Sequence, residues 1–217
     1  MCRNYKYNLI NYRKRCKIIL TNTSYSLKKL KIIINIINFL YKGDVYMLSE
    51  KLLNHLNAQV NFEIYSSYVY LSMAAYCESV DLSGFANFFK VQAQEELFHA
   101  MKFYDYIFQK NGVVSLEQIE KPNGNFESIA NVFETGYEHE QMVTSRLYRI
   151  ADIATEEKEH ATISLLNWFI NEQVEEENTF NTILKKIRRA ENNTAALYML
   201  DDELAARVYT PPTTTNA

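Results

Sequence analysis

The chain has 217 residues, with 23 Lys and Arg against 26 Asp and Glu and a formal charge of −3. Five Gly and three Pro are few for that length, so long helices are expected and a sheet-rich fold is not. The charge is uneven: residues 1–46 carry ten Lys and Arg against Asp44 alone, while residues 47–217 carry 13 against 25 acids, a balance of −12 that repels nucleic acid and suits cations.

Residues 1–46 are rich in Lys, Asn, Ile and Tyr and match nothing downstream in composition. Their apolar run, Ile32–Leu40, is about nine residues long and broken by Asn35 and Asn38, against the roughly 20 that a bilayer needs. The basic stretch before it is too long for a signal peptide, and no small-residue cleavage pattern follows. The same four residue types are what AT-rich DNA encodes. Lys42-Gly43-Asp44 can be written with a ribosome-binding sequence a few nucleotides before Met47. The expected start is therefore Met47, with residues 1–46 a translated leader outside the fold. Cys2, Cys16 and Cys77 have no framework spacing, which predicts a reducing, cytoplasmic setting without disulfides.

From Met47 the pattern turns regular. Ser49 is placed to cap a first helix running to about Cys77 or Glu78, with core stripe Leu56, Val60, Glu63, Ser67, Tyr70, Ala74. Asp81 or Ser83 is expected to cap a second, reaching Asn111, with stripe Phe85, Phe89, Gln92, Glu96, His99, Phe103, Ile107. A third runs from about Phe126 to Ala154, with stripe Ile129, Phe133, Gly136, Glu140, Val143, Leu147, Ile150. A fourth runs from about Thr155 to Arg189, with stripe Ile163, Leu166, Phe169, Gln173, Glu176, Phe180, Ile187. Its acidic opening, Thr155-Glu156-Glu157, and its basic close at Lys185, Lys186, Arg188 and Arg189 both suit the helix dipole. A short fifth helix, Thr194–Val208, carries Leu197, Leu200 and Leu204 and needs a partner surface. Residues 209–217 read as a disordered tail.

The short connections make the first two and the last two long helices antiparallel hairpins. Gly112–Asn125, extended at about 3.3 Å per residue, covers about 46 Å. A 28-residue helix is about 42 Å long, so this loop can run the length of the bundle and leave helices two and three parallel. Val113, Val114 and Ile119 give the crossover an apolar side for a neighbouring subunit. Tyr65, Tyr68, Phe88 and Phe98 fall on outward faces and point to assembly.

Each stripe is apolar except near its centre, where Glu63, Glu96, Glu140 and Gln173 stand. His99, three residues after Glu96, shares its face. Midpoints of a four-helix bundle meet at one level. Three carboxylates, an amide and an imidazole thus converge in a buried layer, where unpaired charge costs several kcal/mol. A multivalent cation holds such a set together, and oxygen ligands with one imidazole suit iron or manganese better than thiolate-seeking metals.

Four segments, in order and spacing, resemble bacterial non-haem ferritin over residues 47–208: Leu56–Ser67, Ala93–His99, Tyr137–Gln141 and Asn171–Glu177. The resemblance implies an all-α, ferritin-like four-helix bundle with one long crossover and a short fifth helix. It implies iron storage with ferroxidase activity at a di-iron centre. In that centre Glu63 and His99 hold the first iron, Glu140 the second, and Glu96 bridges the two. Gln173 matches the glutamine near the second iron, and Tyr70 the tyrosine beside the centre. Glu95, Glu172, Glu175 and Glu176 match the acids that take a third iron. The implied partners are Fe(II), dioxygen or hydrogen peroxide, and further copies of the chain in a hollow shell of 24 subunits, with neither nucleic acid nor membrane. No haem is expected, because Leu97 stands where bacterioferritin has its haem-ligating Met, and Gln173-Val174-Glu175-Glu176 replaces its Glu-x-x-His. The small DNA-protecting relatives lack the fifth helix. A non-storage di-iron oxidase or peroxidase on the same bundle is the alternative.

Overall fold

The structure is a computed structural model and describes residues 47–190 and 192–211. The expected leader, residues 1–46, lies outside the described residues, as does the tail beyond Pro211. Among the described residues the chain forms five helices and no strand: α1 Glu50–Ser79, α2 Ser83–Gln109, α3 Ile129–Glu156, α4 His160–Ala190 and α5 Thr194–Ala205. None of them is long and apolar enough to cross a membrane.

The stops are made without glycine. Asp81, Asn111, Lys158 and Asn192 take positive φ between 56° and 66°, and no described glycine does. At α1 the Leu82 N–H donates to Cys77 O and the Asp81 N–H to Glu78 O, the paired bonds of a Schellman close. Asn111 and Gly112 close α2 in the same way, and Lys158 and Glu159 close α3. Asp81 therefore ends α1 and is not the cap of α2. Neither Asp81 nor Ser83 caps α2; its N-cap is Leu82, which has no capping side chain. The missing acceptor comes from α5: Asp201 Oδ1 receives the Phe85 N–H at 2.9 Å. Gly84 permits the approach, since a Cβ there would lie 1.8 Å from Asp201 O.

The turn at Lys158 also corrects the expected start of the fourth helix. Thr155 and Glu156 close α3, Glu157 is its C-cap, and α4 opens at His160 without an acidic first turn. The third helix likewise starts later than expected, with Ser128 accepting from the Asn131 N–H as its cap. Phe126 precedes it and packs edge-on against Tyr76, with ring centroids 5.4 Å apart. The fifth helix ends at Ala205, three residues before Val208.

The crossover runs up α1 on a ladder of asparagines. Asn57 donates to Val113 O and accepts from the Ser115 N–H; Asn61 repeats this with Ser115 O and the Glu117 N–H; Ser72 donates to Asn123 O. It therefore starts beside the first half of α1 and finishes near its end, which makes α2 and α3 parallel. Val114 packs on the core, while Val113 and Ile119 face outward.

Two apolar clusters fill the bundle. One gathers Phe85, Phe88, Phe89, Phe133 and Phe180 with Leu200 and Leu204 of α5. The other gathers Leu52, Leu56, Phe103, Leu147 and Phe169, with Phe103 and Phe169 stacked at 4.0 Å. Each large side chain so buried contributes about 2 kcal/mol. Gly136 lets Phe180 cross α3, since a Cβ there would meet its ring at 2.5 Å. Phe88, expected on an outward face, is buried because Arg207 and α5 cover it. Ser67 is only half-buried, and Ser66 takes the inward position. Tyr68 is exposed.

Candidate metal centre

A polar layer lies between the two apolar clusters, at mid-height of four helices. α1 contributes Glu63 and Tyr70, α2 contributes Glu96 and His99, α3 contributes Glu140, and α4 contributes Gln173 and Glu176. All seven are buried, with Glu63, Tyr70 and Glu140 at 0% exposure. The structure thus brings these residues together in one layer, with Glu176, expected both on the core stripe of the fourth helix and among the further acids, among them.

The hydrogen bonds divide the carboxylates into satisfied and unsatisfied oxygens. Both carboxylate oxygens of Glu140 are taken: Tyr70 Oη donates to Oε1, and Gln173 Nε2 donates to Oε2 at 2.9 Å. Glu63 Oε1 receives Gln59 Nε2 at 2.8 Å. Glu96 Oε2 lies 3.6 Å from His99 Nδ1. Two buried oxygens have no partner, Glu63 Oε2 and Glu96 Oε1, and they belong to carboxyl groups that oppose each other's ionisation. Such a pair requires either a shared proton or a cation. The donor set fits a cation: hard oxygens, one imidazole and no thiolate.

Electrostatics report the same strain. Burial first, then the charge of Glu96, pushes Glu63 up to about 8. Burial pushes Glu96 up to about 8 as well. Glu140 rises well above the usual carboxylate range through burial and the charges of Glu96 and Glu176. Glu176 is pushed up to about 7 by burial and then by Glu96. Tyr70 is held well above its ordinary value by burial and by Glu140. A cation in the layer reverses the sign of each of these fields. Among the described residues no three acid, His or Cys side chains are already drawn together as a cation cage. Glu63, Glu140 and Glu176 each turn an oxygen to an amide or hydroxyl, while Glu96 has only His99 nearby.

The four acids expected to take a third iron separate. Glu176 is buried and accepts from Gln92 Nε2 at 2.7 Å. Glu95 is half-buried and paired with Arg207 at 2.5 Å. Glu172 is half-buried, and burial raises it. Glu175 is exposed, and only its charge on Glu172 links it to the group.

Several supporting residues carried little signal in the sequence. Gln59 stands four residues before Glu63 and so shares its face, which makes it legible by spacing. Arg146 donates to Gln59 Oε1 at 3.0 Å from another helix and has no such mark. His139 is buried beside Glu140, bonded to Ser66 Oγ at 2.8 Å, and brought down to about 4 by burial and by Arg146. It is therefore neutral at pH 7 and serves as packing against Phe62 and Tyr70.

Residues 53–190 match the family model described as the ferritin-like domain. The chain is 45% identical over 163 residues to a bacterial non-heme ferritin of Staphylococcus haemolyticus, covering 75% of this chain and 98% of that protein. The identity is 43%, with the same coverage, to one of Staphylococcus aureus (strain USA300). Among solved structures it resembles an open-pore ferritin from Archaeoglobus fulgidus, with a TM-score of 0.74, 45% identity and 74% and 99% of the two chains covered. A humanized archaeal ferritin gives a TM-score of 0.75, 46% identity and 76% and 99% coverage. The chain belongs to the ferritin-like domain family.

Proposed function

We propose that the protein stores iron, oxidising Fe(II) to Fe(III) at a pair of sites in the buried polar layer and holding the product as a ferric mineral inside a shell of its own copies. The observation that carries this reading is the pair of orphaned oxygens on Glu63 and Glu96. Glu63 and His99 bind the first Fe(II), Glu140 with Gln173 beside it binds the second, and Glu96 reaches both. Tyr70 holds Glu140 in place by donating to it. Each Fe(II) gives one electron to dioxygen or peroxide. Fe(III) is the more acidic ion, and its oxo-bridged product leaves for the hollow interior. Glu95, Glu172, Glu175 and Glu176 take a further iron. The working domain is residues 47–208, the shell has 24 subunits, and the setting is the cytoplasm. Exposed Leu97, Met101, Tyr68 and Val113 supply apolar surface for contacts between copies.

The test is aerobic loading with Fe(II) followed by size-exclusion chromatography. Iron should co-elute with a large assembly. A monomer or dimer that never retains iron would favour the non-storage oxidase reading.

A further inference from the structure

Arg207 lies two residues past the end of α5, yet its side chain reaches the edge of the polar layer. Its guanidinium stacks over Phe88 at 4.5 Å, donates through Nη1 to Gln92 Oε1 at 2.7 Å, and pairs through Nη2 with Glu95 Oε2 at 2.5 Å. Gln92 then donates to Glu176 Oε2. A guanidinium has only donors, so it fixes the amide: Gln92 must present its oxygen to Arg207 and its NH2 to Glu176. One cation thus controls two acids on two helices, directly at Glu95 and through an amide at Glu176. The charge of Arg207 is also felt at Glu176, where it opposes the charges of Glu96 and Glu95.

We propose that Arg207 is a stand-in cation: it holds Glu95 and, through Gln92, Glu176 while no iron is bound there, and an iron ion arriving at those acids displaces it. This rests on the reading that Glu95 and Glu176 take iron. Two features make displacement feasible. Arg207 is a quarter exposed and comes from a segment beyond a helix end, so it has water to move into. The segment is tied down chiefly by Asn87, whose amide donates to Leu204 O, Ala205 O and Arg207 O. A dication and a guanidinium repel each other, so each weakens the other's hold on Glu95. Occupancy by iron and the Arg207 contacts therefore oppose each other, and the coupling is reciprocal. The C-terminal segment reports whether those acids are filled.

The experiment is anaerobic Fe(II) titration calorimetry on the assembled full-length chain and on Arg207→Gln and Arg207→Lys. The parent should bind a tight pair and a weaker third equivalent per subunit. In Arg207→Gln the third equivalent should tighten about tenfold, the scale of one charge-assisted hydrogen bond, with the pair unchanged. Arg207→Lys keeps the charge and should stay near the parent. Equal or weaker third-site binding in Arg207→Gln overturns the role of Arg207. A parent with no third equivalent overturns the reading of the acids themselves, and this inference with it. A second measurement needs no variant: in the parent, hydrogen exchange at the amides of Ala206 and Arg207, which donate to Glu203 O and Leu204 O, should quicken between the second and third equivalents of Fe(II). Unchanged protection there refutes displacement even if Arg207→Gln fails to assemble.

Discussion

The first and second helices carry the same spacing toward the core, Gln59 four residues before Glu63 and Gln92 four residues before Glu96, yet the two amides serve different partners. Gln59 donates to the glutamate of its own helix. Gln92 passes over Glu96 and donates across the bundle to Glu176 of α4. In both cases an arginine fixes the amide, Arg146 from α3 and Arg207 from beyond α5. The direction of each arginine, and not the spacing, decides which acid gains a donor. The outcome is chemical asymmetry: Glu63 has one oxygen satisfied by an amide, and Glu96 has none. Under the proposed function, this leaves Glu96 as the carboxylate freest to reach two ions at once.

The largest break of this comparison is Glu96→Ala. It should slow Fe(II) oxidation at least about 100-fold in stopped-flow absorbance, more than any other single carboxylate change. Thermal stability without iron should hold, because the change deletes a buried carboxyl without stranding a donor. Oxidation at the parent rate would end the di-iron assignment.

Acidity sharpens the comparison next. Glu63 stands at about 8 and Glu176 at about 7, both raised from 4.5 and both chiefly by burial. Raised carboxyls favour the folded state in their neutral form. Their contribution is complete below about 4.5 and is lost as pH rises through 7 at Glu176 and through 8 at Glu63. The iron-free bundle should therefore melt lower at pH 8 than at pH 5 on their account. Binding of Fe(II) needs the ionised forms, so it should release protons at pH 6 and tighten by up to about tenfold per pH unit per proton before levelling above pH 8. Calorimetry in buffers of different ionisation heat reads the release. A flat profile would show that the acids were already ionised.

The smallest and most selective break replaces each amide. Gln59→Leu should weaken one tight Fe(II) about tenfold, while Gln92→Leu, which frees Glu176 from the Arg207 relay, should tighten the third equivalent instead. Anaerobic titration separates the two. Identical losses in both variants would mean that the arginines impose no asymmetry.

The polar layer was legible because its signal is local: a carboxylate or amide interrupts each apolar stripe at mid-helix, and His99 follows Glu96 at i+3. The single-crossover topology followed from connection length alone. What escaped was whatever depends on a distant residue. The cap of α2 is Asp201, 116 positions from the Phe85 that it serves. The boundary between the third and fourth helices escaped because Lys158, not glycine, takes the left-handed turn. Arg146 and Arg207 carry no mark in the sequence, and only the fold brings them to Gln59 and Gln92.

The borrowed cap at Phe85 has a consequence for the order of events during synthesis. α2 leaves the ribosome with its first turn lacking a side-chain acceptor, and that acceptor is translated about a hundred residues later. Until Asp201 emerges and seats against Gly84, the start of α2 can fray and keep Phe85 and Phe88 in water. A chain cut short before α5 never closes this end, so the fold itself distinguishes finished chains from unfinished ones before they meet other copies.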